Sequence, residues 1–151
     1  MDIIFDIDGT LMNIDHRRHF VEGKIKDWES FEKKIESDVP YPDISQLLVS
    51  LYESNNHRFI FCSGRREKNR EITHEQIVAI LSRANNYLPN PLDIVLMMRG
   101  DDDRRPDYIV KLDILGQLRV KGYNPELVFD DRTSVVEMWR AQGIRCLQVN
   151  A

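Results

Sequence analysis

The sequence predicts an α/β fold in which a parallel sheet is covered by helices on both faces. Four short apolar runs, at residues 3–5, 58–62, 94–97 and 127–129, predict buried strands, and a weaker fifth run spans 145–149. Their apolar character is continuous rather than alternating, which is typical of strands that are buried on both faces. Stretches with helical spacing separate the runs, and this alternation favours a parallel sheet.

Four segments between the apolar runs carry apolar residues at helical spacing. The first spans 44–54, and the second spans 71–85. The third spans 107–121 and the fourth spans 134–142. We expect these helices to cover the two faces of the sheet.

One segment interrupts the alternation, because residues 12–42 separate the first strand from the first long helix. It contains a short predicted helix at 28–36 and ends in the turn Pro40-Tyr41-Pro42. An insertion after the first strand lies at the carboxyl end of the sheet, where ligands bind in this architecture. We therefore predict one domain over 1–151 with a small cap at about 12–42, the alternative being a surface excursion that only packs.

Composition limits the class of protein and its compartment. A chain of 151 residues with 42% hydrophobic and 30% charged residues is typical of one globular domain. The net charge of −4 argues against a general nucleic-acid or membrane-binding surface, but not against a local basic site. The start lacks a leader pattern, no apolar run could span a membrane, and Cys62 and Cys146 lie in apolar runs. The sequence therefore predicts a cytoplasmic protein with buried, reduced thiols.

The run Asp6-Ile7-Asp8-Gly9-Thr10 follows directly on the first strand. Two carboxylates at a strand end project into one crevice, where one could attack phosphorus and the other could transfer protons. Gly9 allows a tight turn whose amide groups can face an anion. A calcium-binding loop is excluded, because Leu11 stands where that loop needs glycine and Arg17 where it needs glutamate.

Polar residues also follow the second and fourth strands. Ser63-Gly64-Arg65 offers a hydroxyl and a guanidinium that suit a phosphate oxygen, although such residues are common in ordinary loops. Asp130-Asp131 places two repelling carboxylates together, for which a bound cation is an economical reason. Ligands that are all oxygen favour Mg²⁺. Alternatively, Asp131 or Thr133 could cap the helix that follows.

Further charged residues lie within reach of the same edge of the sheet. Arg99 comes just after the third strand, and Lys111 lies near the start of the helix at 107–121. Lys111 could be a solvated lysine, or it could pair with Asp107 on one helical face. Because parallel strands end at one edge, the polar residues after all four strands predict a single site for phosphoryl transfer.

These motifs, in this order, resemble those of the haloacid dehalogenase (HAD) superfamily. Asp6-Ile7-Asp8-Gly9-Thr10 is similar to its first motif, Ser63 to its second, Lys111 to its third and Asp130-Asp131 to its fourth. The resemblance covers nearly the whole chain. It implies an HAD-like Rossmannoid sheet with a small helical cap inserted after strand 1, and the activity of a phosphoric monoester hydrolase.

Within that superfamily the chain is similar to the phosphatase domain of phage polynucleotide kinase-phosphatases. The likeness lies in residues 63–65, 99, 107, 111 and 129–149. Arg17, eleven residues beyond Asp6, stands where that family has a substrate-side arginine. Two features depart from it: the sequence contains no GxxxxGK[ST] kinase motif, and residues 21–42 are longer and different.

The resemblance implies a role for each site residue. Asp6 is the nucleophile that forms an aspartyl-phosphate, and Asp8 is the general acid and base. Ser63 and Lys111 are catalytic groups that stabilise the phosphate oxygens. The implied ligands of Mg²⁺ are Asp6, the backbone carbonyl of Asp8, Asp130 and Asp131. The implied substrate-binding residues are Arg17, Arg65, Arg99 and Asp107, the last by orienting a basic neighbour.

Three functions stay open at this point. The first is a polynucleotide 3'-phosphatase that acts on nucleic-acid ends. The second is a 5'-nucleotidase that acts on free nucleoside monophosphates, because a changed cap on the same core could produce it. The third is a catalytically silent HAD-like binding module, against which the intact Asp6, Asp8 and Lys111 argue. The expected partner is a phosphorylated nucleotide or oligonucleotide, with no membrane and no obligate protein partner, in the host cytoplasm if the gene belongs to a phage.

Basic residues cluster in loops predicted near the crevice. They could contact flanking phosphates of a nucleic acid. Equally, they could be ordinary solvated charges, partly cancelled by the acidic run at 101–103. The residues concerned are Arg65, Arg66, Lys68, Arg70, Arg104 and Arg105.

Overall fold

The computed structural model of this chain describes residues 1–88, 90 and 94–149. The last two residues of the predicted domain 1–151 therefore lie outside the described part. The strands are β1 Asp2–Phe5, β2 Met12–Asn13, β3 Val39–Pro40, β4 Arg58–Arg66, β5 Val95–Arg99, β6 Pro125–Asp130 and β7 Arg145–Gln148. The helices are α1 Asp15–Arg18, α2 Trp28–Lys33, α3 Pro42–Glu53, α4 Arg70–Leu81, α5 Asp107–Val120 and α6 Thr133–Ala141, with 3₁₀ turns at Ile35–Ser37 and Glu67–Asn69.

Five strands form a parallel sheet in the order β5-β4-β1-β6-β7. The central strand β1 pairs with β4 and β6, so that Ile4 lies opposite both Ile60 and Val128. Strand β1 is therefore shielded on both edges and both faces, and its four residues are buried. The polar residues that follow it are held at the middle of the carboxyl edge of the sheet.

Two apolar cores lie on opposite faces of the sheet, because side chains alternate along each strand. Ile3 and Phe5 face one core with residues of α3 and α4, among them Leu48 and Ile77. Ile4 faces the other core with residues of α5 and α6. The predicted parallel sheet with helices on both faces is confirmed.

Several boundaries differ from the sequence predictions. The second predicted strand ended at residue 62, but β4 continues to Arg66 and includes Ser63-Gly64-Arg65. Its pairing with β5 shifts register between Ser63 and Arg66, so the motif forms an irregular strand end rather than a free loop. Arg99 likewise closes β5 instead of following it.

The inserted segment, residues 12–42, contains more structure than one helix. The predicted helix at 28–36 was too long, because α2 ends at Lys33 and a separate 3₁₀ turn follows. Val39–Pro40 pairs antiparallel with Met12–Asn13, so the predicted turn at Pro40 is part of a strand. This small sheet ties both ends of the inserted segment together directly beyond β1.

Both cysteines are free and buried. Burial raises the pKa of Cys62 to about 12 and that of Cys146 to about 11. Such thiols are poor nucleophiles near neutral pH. Within the part of the chain that the structure describes, no helix combines the length and apolar character needed to cross a membrane.

A bidentate ion pair holds the amino end of the sheet. Asp2, which begins β1, accepts hydrogen bonds from Nε and Nη2 of Arg58, both at 2.6 Å, and from the amide of Asn124 at 2.7 Å. Burial alone would raise the pKa of Asp2, but Arg58 and the Asn124 amide outweigh it and lower the pKa. One carboxylate thus joins β1 to its neighbours on both sides.

Replacing this carboxylate tests its contribution to folding. Asp2→Asn should lower the free energy of unfolding at pH 7 by about 1 kcal/mol, a modest value because Arg58 is largely exposed. A carboxyl with a lowered native pKa stabilises the fold fully above its unfolded pKa of about 3.9, and this stabilisation disappears as pH falls through the native pKa. Urea titrations at pH 7, 4 and 3 should therefore show a gap between variant and parent that is nearly constant down to pH 4 and narrows at pH 3.

Glu126→Gln is the control, because Glu126 is an exposed carboxylate on β6. It should change stability by less than about 0.5 kcal/mol at each pH. A gap for Asp2→Asn at pH 3 that is as large as the gap at pH 7 would contradict the proposed role of the carboxylate charge.

Candidate active site

The carboxyl ends of β1 and β6 bring buried charges together at one edge of the sheet. Asp6 follows β1, and its amide donates to the carbonyl of Phe129, so its backbone continues the ladder. Lys111 reaches the same point from α5, where its Nζ donates to Asp6 Oδ1 and to Asp130 Oδ2, each at 2.8 Å. All three side chains are buried.

Lys111 is therefore neither solvated nor paired with Asp107. Burial alone would lower its pKa, but the negative charges of Asp130 and Asp6 outweigh burial and raise it well above its ordinary value. A lysine in this setting is a permanent cation. It compensates part of the negative charge that the strand ends concentrate.

Three carboxylates form an acidic cluster at this edge. One oxygen from each of Asp6, Asp130 and Asp131 lies within 4.8 Å of the others. Burial, followed by the charge of Asp130, raises the pKa of Asp131 and raises that of Asp6 well above the ordinary value. Lys111 and Arg18, whose Nη2 lies 4.0 Å from Asp131 Oδ2, balance two of the three charges, so one negative charge stays uncompensated when the cluster is ionised.

The alternative that Asp131 or Thr133 caps the following helix is wrong. The N-cap residue of α6 is Arg132, and it makes no side-chain capping bond. The side chain of Asp131 points instead into the acidic cluster. Asp130 accepts a hydrogen bond at 3.2 Å from Nε1 of Trp139, a fully buried residue of α6.

Gly9 is required by the close approach of two loops. Its φ of +83° lies in the left-handed region, and a Cβ there would stand 2.1 Å from Asp131 Oδ2. The next residue, Thr10, is fully buried and donates from its hydroxyl to Asp6 Oδ2 at 2.9 Å. Asp6 therefore has one oxygen held by Thr10 and the other held by Lys111.

A second charged cluster surrounds Asp8. Its Oδ1 accepts from Nη2 of Arg17 at 3.1 Å and from Nε of Arg65 at 2.8 Å. Arg17 is fully buried, and Arg65 is 5% exposed. Burial alone would raise the pKa of Asp8, but Arg65 and Arg17 outweigh it and lower the pKa.

Asp38 is the residue of this cluster that the sequence analysis missed. It lies in the inserted segment, and its buried carboxylate accepts from Nε and Nη2 of Arg17 at 2.8 Å and from Nη2 of Arg65 at 2.9 Å. His16 Nε2 lies 2.7 Å from the same carboxylate. Two carboxylates thus face two guanidiniums, which is the condition for burying such charges, while the side chain of Asp8 itself stays 23% exposed. Nothing in the sequence near Asp38 distinguishes it from a surface aspartate.

Ser63-Gly64-Arg65 lies beside both clusters at the end of β4. The amide of Arg65 donates to Ser63 Oγ at 3.0 Å, which holds this buried hydroxyl in place. A Cβ on Gly64 would stand 2.6 Å from Asp107 Oδ1, so glycine is needed here for close approach to α5. The guanidinium of Arg65 also donates to Thr73 Oγ1 and to Gln76 Oε1 on α4.

Asp107 forms ion pairs with two basic neighbours, and neither of them is Lys111. Arg99 Nη2 forms a short ion pair with Asp107 Oδ1, and Arg132 Nη1 lies 2.6 Å from Oδ2. Arg99 is largely buried, whereas the side chain of Arg132 is mostly exposed. The structure thus brings the predicted catalytic and metal-binding residues together at one edge, with Arg99 and Asp107 beside them.

The predicted basic surface is largely paired with carboxylates. The partners are Glu32 for Arg66 and Lys68, Glu67 for Arg70, and Asp103 and Asp113 for Arg105. The acidic residues at 101–103 cancel only part of this charge. Glu32 is a further partner that the sequence did not indicate.

The fold and this arrangement define a phosphatase domain of the HAD type. A haloacid dehalogenase-like family hydrolase from Streptococcus pneumoniae shares the fold, with a TM-score of 0.66, 13% identity, and coverage of 97% of this chain and 83% of that chain. A chain in the solved structure of a Pnkp1/Rnl/Hen1 complex gives a TM-score of 0.70 at 25% identity, over 99% of this chain and 45% of that chain.

The family model described as the polynucleotide kinase PNKP phosphatase domain matches residues 1–151. This chain belongs to that family. A protein of Autographa californica nuclear polyhedrosis virus, described as a bifunctional polynucleotide kinase/RNA ligase, is 27% identical over 141 residues. The match covers 91% of this chain and 17% of the viral protein, so the chain spans a small part of that relative.

The repulsion within the acidic cluster predicts an unusual stability effect. Ionised Asp131 has a raised pKa and therefore destabilises the metal-free fold above that pKa. Asp131→Asn should raise the melting temperature at pH 7 in a chelator by roughly 2–4 °C, the equivalent of about 1 kcal/mol. This gain should shrink as pH falls and the parent carboxyl becomes protonated.

Asp130→Asn is the matched comparison, because it removes the acceptor of Lys111 and Trp139. It should lower the melting temperature under the same conditions. If Asp131→Asn destabilises the metal-free protein as much as Asp130→Asn does, charge repulsion does not dominate at Asp131.

Proposed function

We propose that this domain is a Mg²⁺-dependent phosphatase that removes 3'-phosphates from nucleic-acid ends through an aspartyl-phosphate. The observation that carries the proposal is the placement of Asp6. Its two oxygens are held by Thr10 and Lys111 at the centre of the sheet edge. The acidic cluster lies on one side of it and the Asp8 cluster follows two residues later.

The residues of the acidic cluster fit a small divalent cation. Their donors are all carboxylate oxygens, which suit Mg²⁺. The uncompensated negative charge and the raised pKa values of Asp6 and Asp131 mean that a dication relieves repulsion there. The proposed ligands are Asp6, Asp130 and Asp131, with the backbone carbonyl of Asp8. When bound, Mg²⁺ supplies positive charge that screens the repulsion between the carboxylate nucleophile and an anionic phosphate.

In the first step the carboxylate of Asp6 attacks phosphorus, and the bond from phosphorus to the ester oxygen breaks. The departing oxygen takes a proton from the carboxyl group of Asp8. Lys111 and Ser63 stabilise negative charge on the phosphate oxygens during transfer. The products of this step are the free alcohol and the phosphorylated Asp6.

In the second step the carboxylate of Asp8 takes a proton from water, which attacks phosphorus and releases Asp6 and inorganic phosphate. The lowered pKa of Asp8 suits this step, because it keeps the group ionised. The first step needs the protonated form, which an approaching phosphate dianion favours by like-charge repulsion. We infer that Arg17 and Arg65 keep the carboxylate of Asp8 in one orientation for both steps, while their predicted contact with substrate stays a prediction.

The choice of a nucleic-acid substrate is supported by family membership. The names of the matching family model and of the viral relative both contain the term polynucleotide kinase. The paired state of the basic loops favours the 5'-nucleotidase alternative, because few unpaired cations remain for flanking phosphates in the described residues. The two substrates therefore need a direct comparison.

Asparagine at Asp6 tests the mechanism. Asp6→Asn should abolish turnover of every phosphomonoester, because the amide is not a nucleophile, while the circular dichroism spectrum stays that of the parent. Asp8→Asn should slow turnover by roughly 100- to 10,000-fold. The loss should be larger for an alkyl than for an aryl phosphate, because an aryl oxide leaves without a proton. Near-normal turnover by purified Asp6→Asn contradicts the nucleophile assignment.

A substrate panel tests the specificity. We expect a 3'-phosphorylated oligonucleotide to be hydrolysed with a higher kcat/KM than a nucleoside 5'-monophosphate at equal concentration, and only with Mg²⁺ present. Phosphate release measured with and without a chelator checks both points. A higher kcat/KM for the mononucleotide would favour the 5'-nucleotidase, and equal turnover in a chelator would overturn the metal requirement.

A further inference from the structure

A carboxylate of the inserted segment occupies a pair of basic residues beside the active site. Glu32 on α2 holds Arg66 by two parallel bonds, from Nε at 2.6 Å and from Nη2 at 2.7 Å. Lys68 Nζ lies 2.9 Å from the same carboxylate. The side chain of Glu32 is only 13% exposed, so the contact is a built one rather than a passing surface pair.

This contact lies one residue from the acid–base cluster on both sides. Arg66 follows Arg65, whose guanidinium contacts Asp8. Glu32 follows Phe31, whose ring packs against the guanidinium of Arg17 at 4.2 Å. If the phosphorylated end of a nucleic-acid strand lies at Asp6, the adjoining nucleotides of that strand therefore pass close to Arg66 and Lys68.

The geometry of this contact is the one by which arginine binds phosphate. A guanidinium donates two parallel hydrogen bonds to a carboxylate or to a phosphate in the same way, and lysine adds a point charge. Burial alone would raise the pKa of Glu32, but Arg66 and Lys68 outweigh it and lower the pKa, so Glu32 carries the charge that a phosphate would carry. Glu32 thus has the charge and the acceptor geometry of a backbone phosphate.

Two other basic residues of these loops are held differently. Arg70 pairs with Glu67 three residues away, and Arg105 pairs with Asp103 and Asp113, two and eight residues away. Those pairs persist whatever the inserted segment does. The Glu32 contact joins residues 34 apart in the chain. Since α2 contains no buried residue, moving this helix exposes Arg66 and Lys68 at the cost mainly of the Phe31 contact with Arg17.

We propose that Arg66 and Lys68 bind a backbone phosphate of a nucleic-acid strand, and that Glu32 occupies this site until the strand displaces it. The proposal rests on the nucleic-acid substrate proposed above. A mononucleotide has no second phosphate to make this exchange, so the site distinguishes a strand from a free nucleotide. Glu32 lowers the affinity for strands, because each binding event must first break its contacts.

Binding of a fluorescent single-stranded oligonucleotide with a 3'-hydroxyl, measured by anisotropy without turnover, tests the exchange. Glu32→Gln should bind about 3- to 10-fold more tightly than the parent, because a competing charge is removed. Glu29→Gln is the matched control, since Glu29 lies on the same helix and pairs with Lys33 on the surface. It should bind like the parent.

The basic partners give the reciprocal result. Arg66→Ala and Lys68→Ala should each weaken binding and reduce the slope of log K against log salt by about 0.7, the value for one phosphate contact on a single strand. Hydrolysis of a small aryl phosphate should stay at the parent rate in all these variants, because that substrate does not reach the site.

Two outcomes overturn the proposal. One is binding by Glu32→Gln that is no tighter than that of Glu29→Gln. The other is unchanged oligonucleotide binding by both Arg66→Ala and Lys68→Ala, which decides the matter even if Glu32→Gln unfolds. A parent protein that binds the 3'-hydroxyl strand by this pattern, but releases no phosphate from the same strand carrying a 3'-phosphate, would refute the proposed function and leave the phosphate site standing.

Discussion

The crowding of negative charge at the centre of the sheet edge is the constraint on which the rest of the site depends. Asp6 and Asp130 are buried within reach of one another, and burial of like charges is costly unless they are paired. Lys111, on α5, offsets this cost by pairing with the carboxylates, and Thr10 and Trp139 supply neutral hydrogen-bond donors. These groups hold the carboxylates in place without cancelling the charge that would bind a cation.

The charged groups around the neighbouring Asp8 are balanced in a different way. Around Asp8 the charges balance within the protein, because Arg17 and Arg65 face two carboxylates, Asp8 and Asp38. The acidic cluster retains negative charge, whereas the carboxylates of this cluster are matched by guanidiniums. The acidic cluster therefore has the charge that a cation would balance, and the arginines fix the direction of the Asp8 carboxylate. This pairing also makes the inserted segment part of the site, because that segment supplies Arg17 and Asp38.

Close backbone approach explains two glycines that polar chemistry alone does not require. Gly9 makes room for the side chain of Asp131, and Gly64 makes room for that of Asp107. In both cases a side chain from another strand end or helix passes where a Cβ would lie. The glycines of the first and second motifs therefore let separate elements bring their carboxylates to a common point.

The strands and long helices followed from the sequence because burial on both faces leaves continuous apolar runs. The meeting of Asp6, Asp8, Ser63, Asp130 and Asp131 at one edge followed as well, since parallel strands deliver whatever follows them to one edge. Lys111 lies on α5, and its place beside them was implied by the family resemblance. The bounds of α2, the small sheet at Met12–Asn13 and Val39–Pro40, and the extension of β4 to Arg66 did not follow from the sequence. These features depend on pairing between distant residues, which leaves no local pattern.

The sequence by itself determined the layer order of the fold and the set of groups that meet at its carboxyl edge, because both follow from local periodicity and strand direction. Only the tertiary structure decided which charge faces which. In the tertiary structure Lys111 pairs with Asp6 and Asp130 rather than with Asp107. Asp38 and Glu32 pair with arginines that are distant in the sequence. Ion pairs are chosen by proximity in space and by the need to neutralise buried charge, and neither is written in the spacing of residues along the chain.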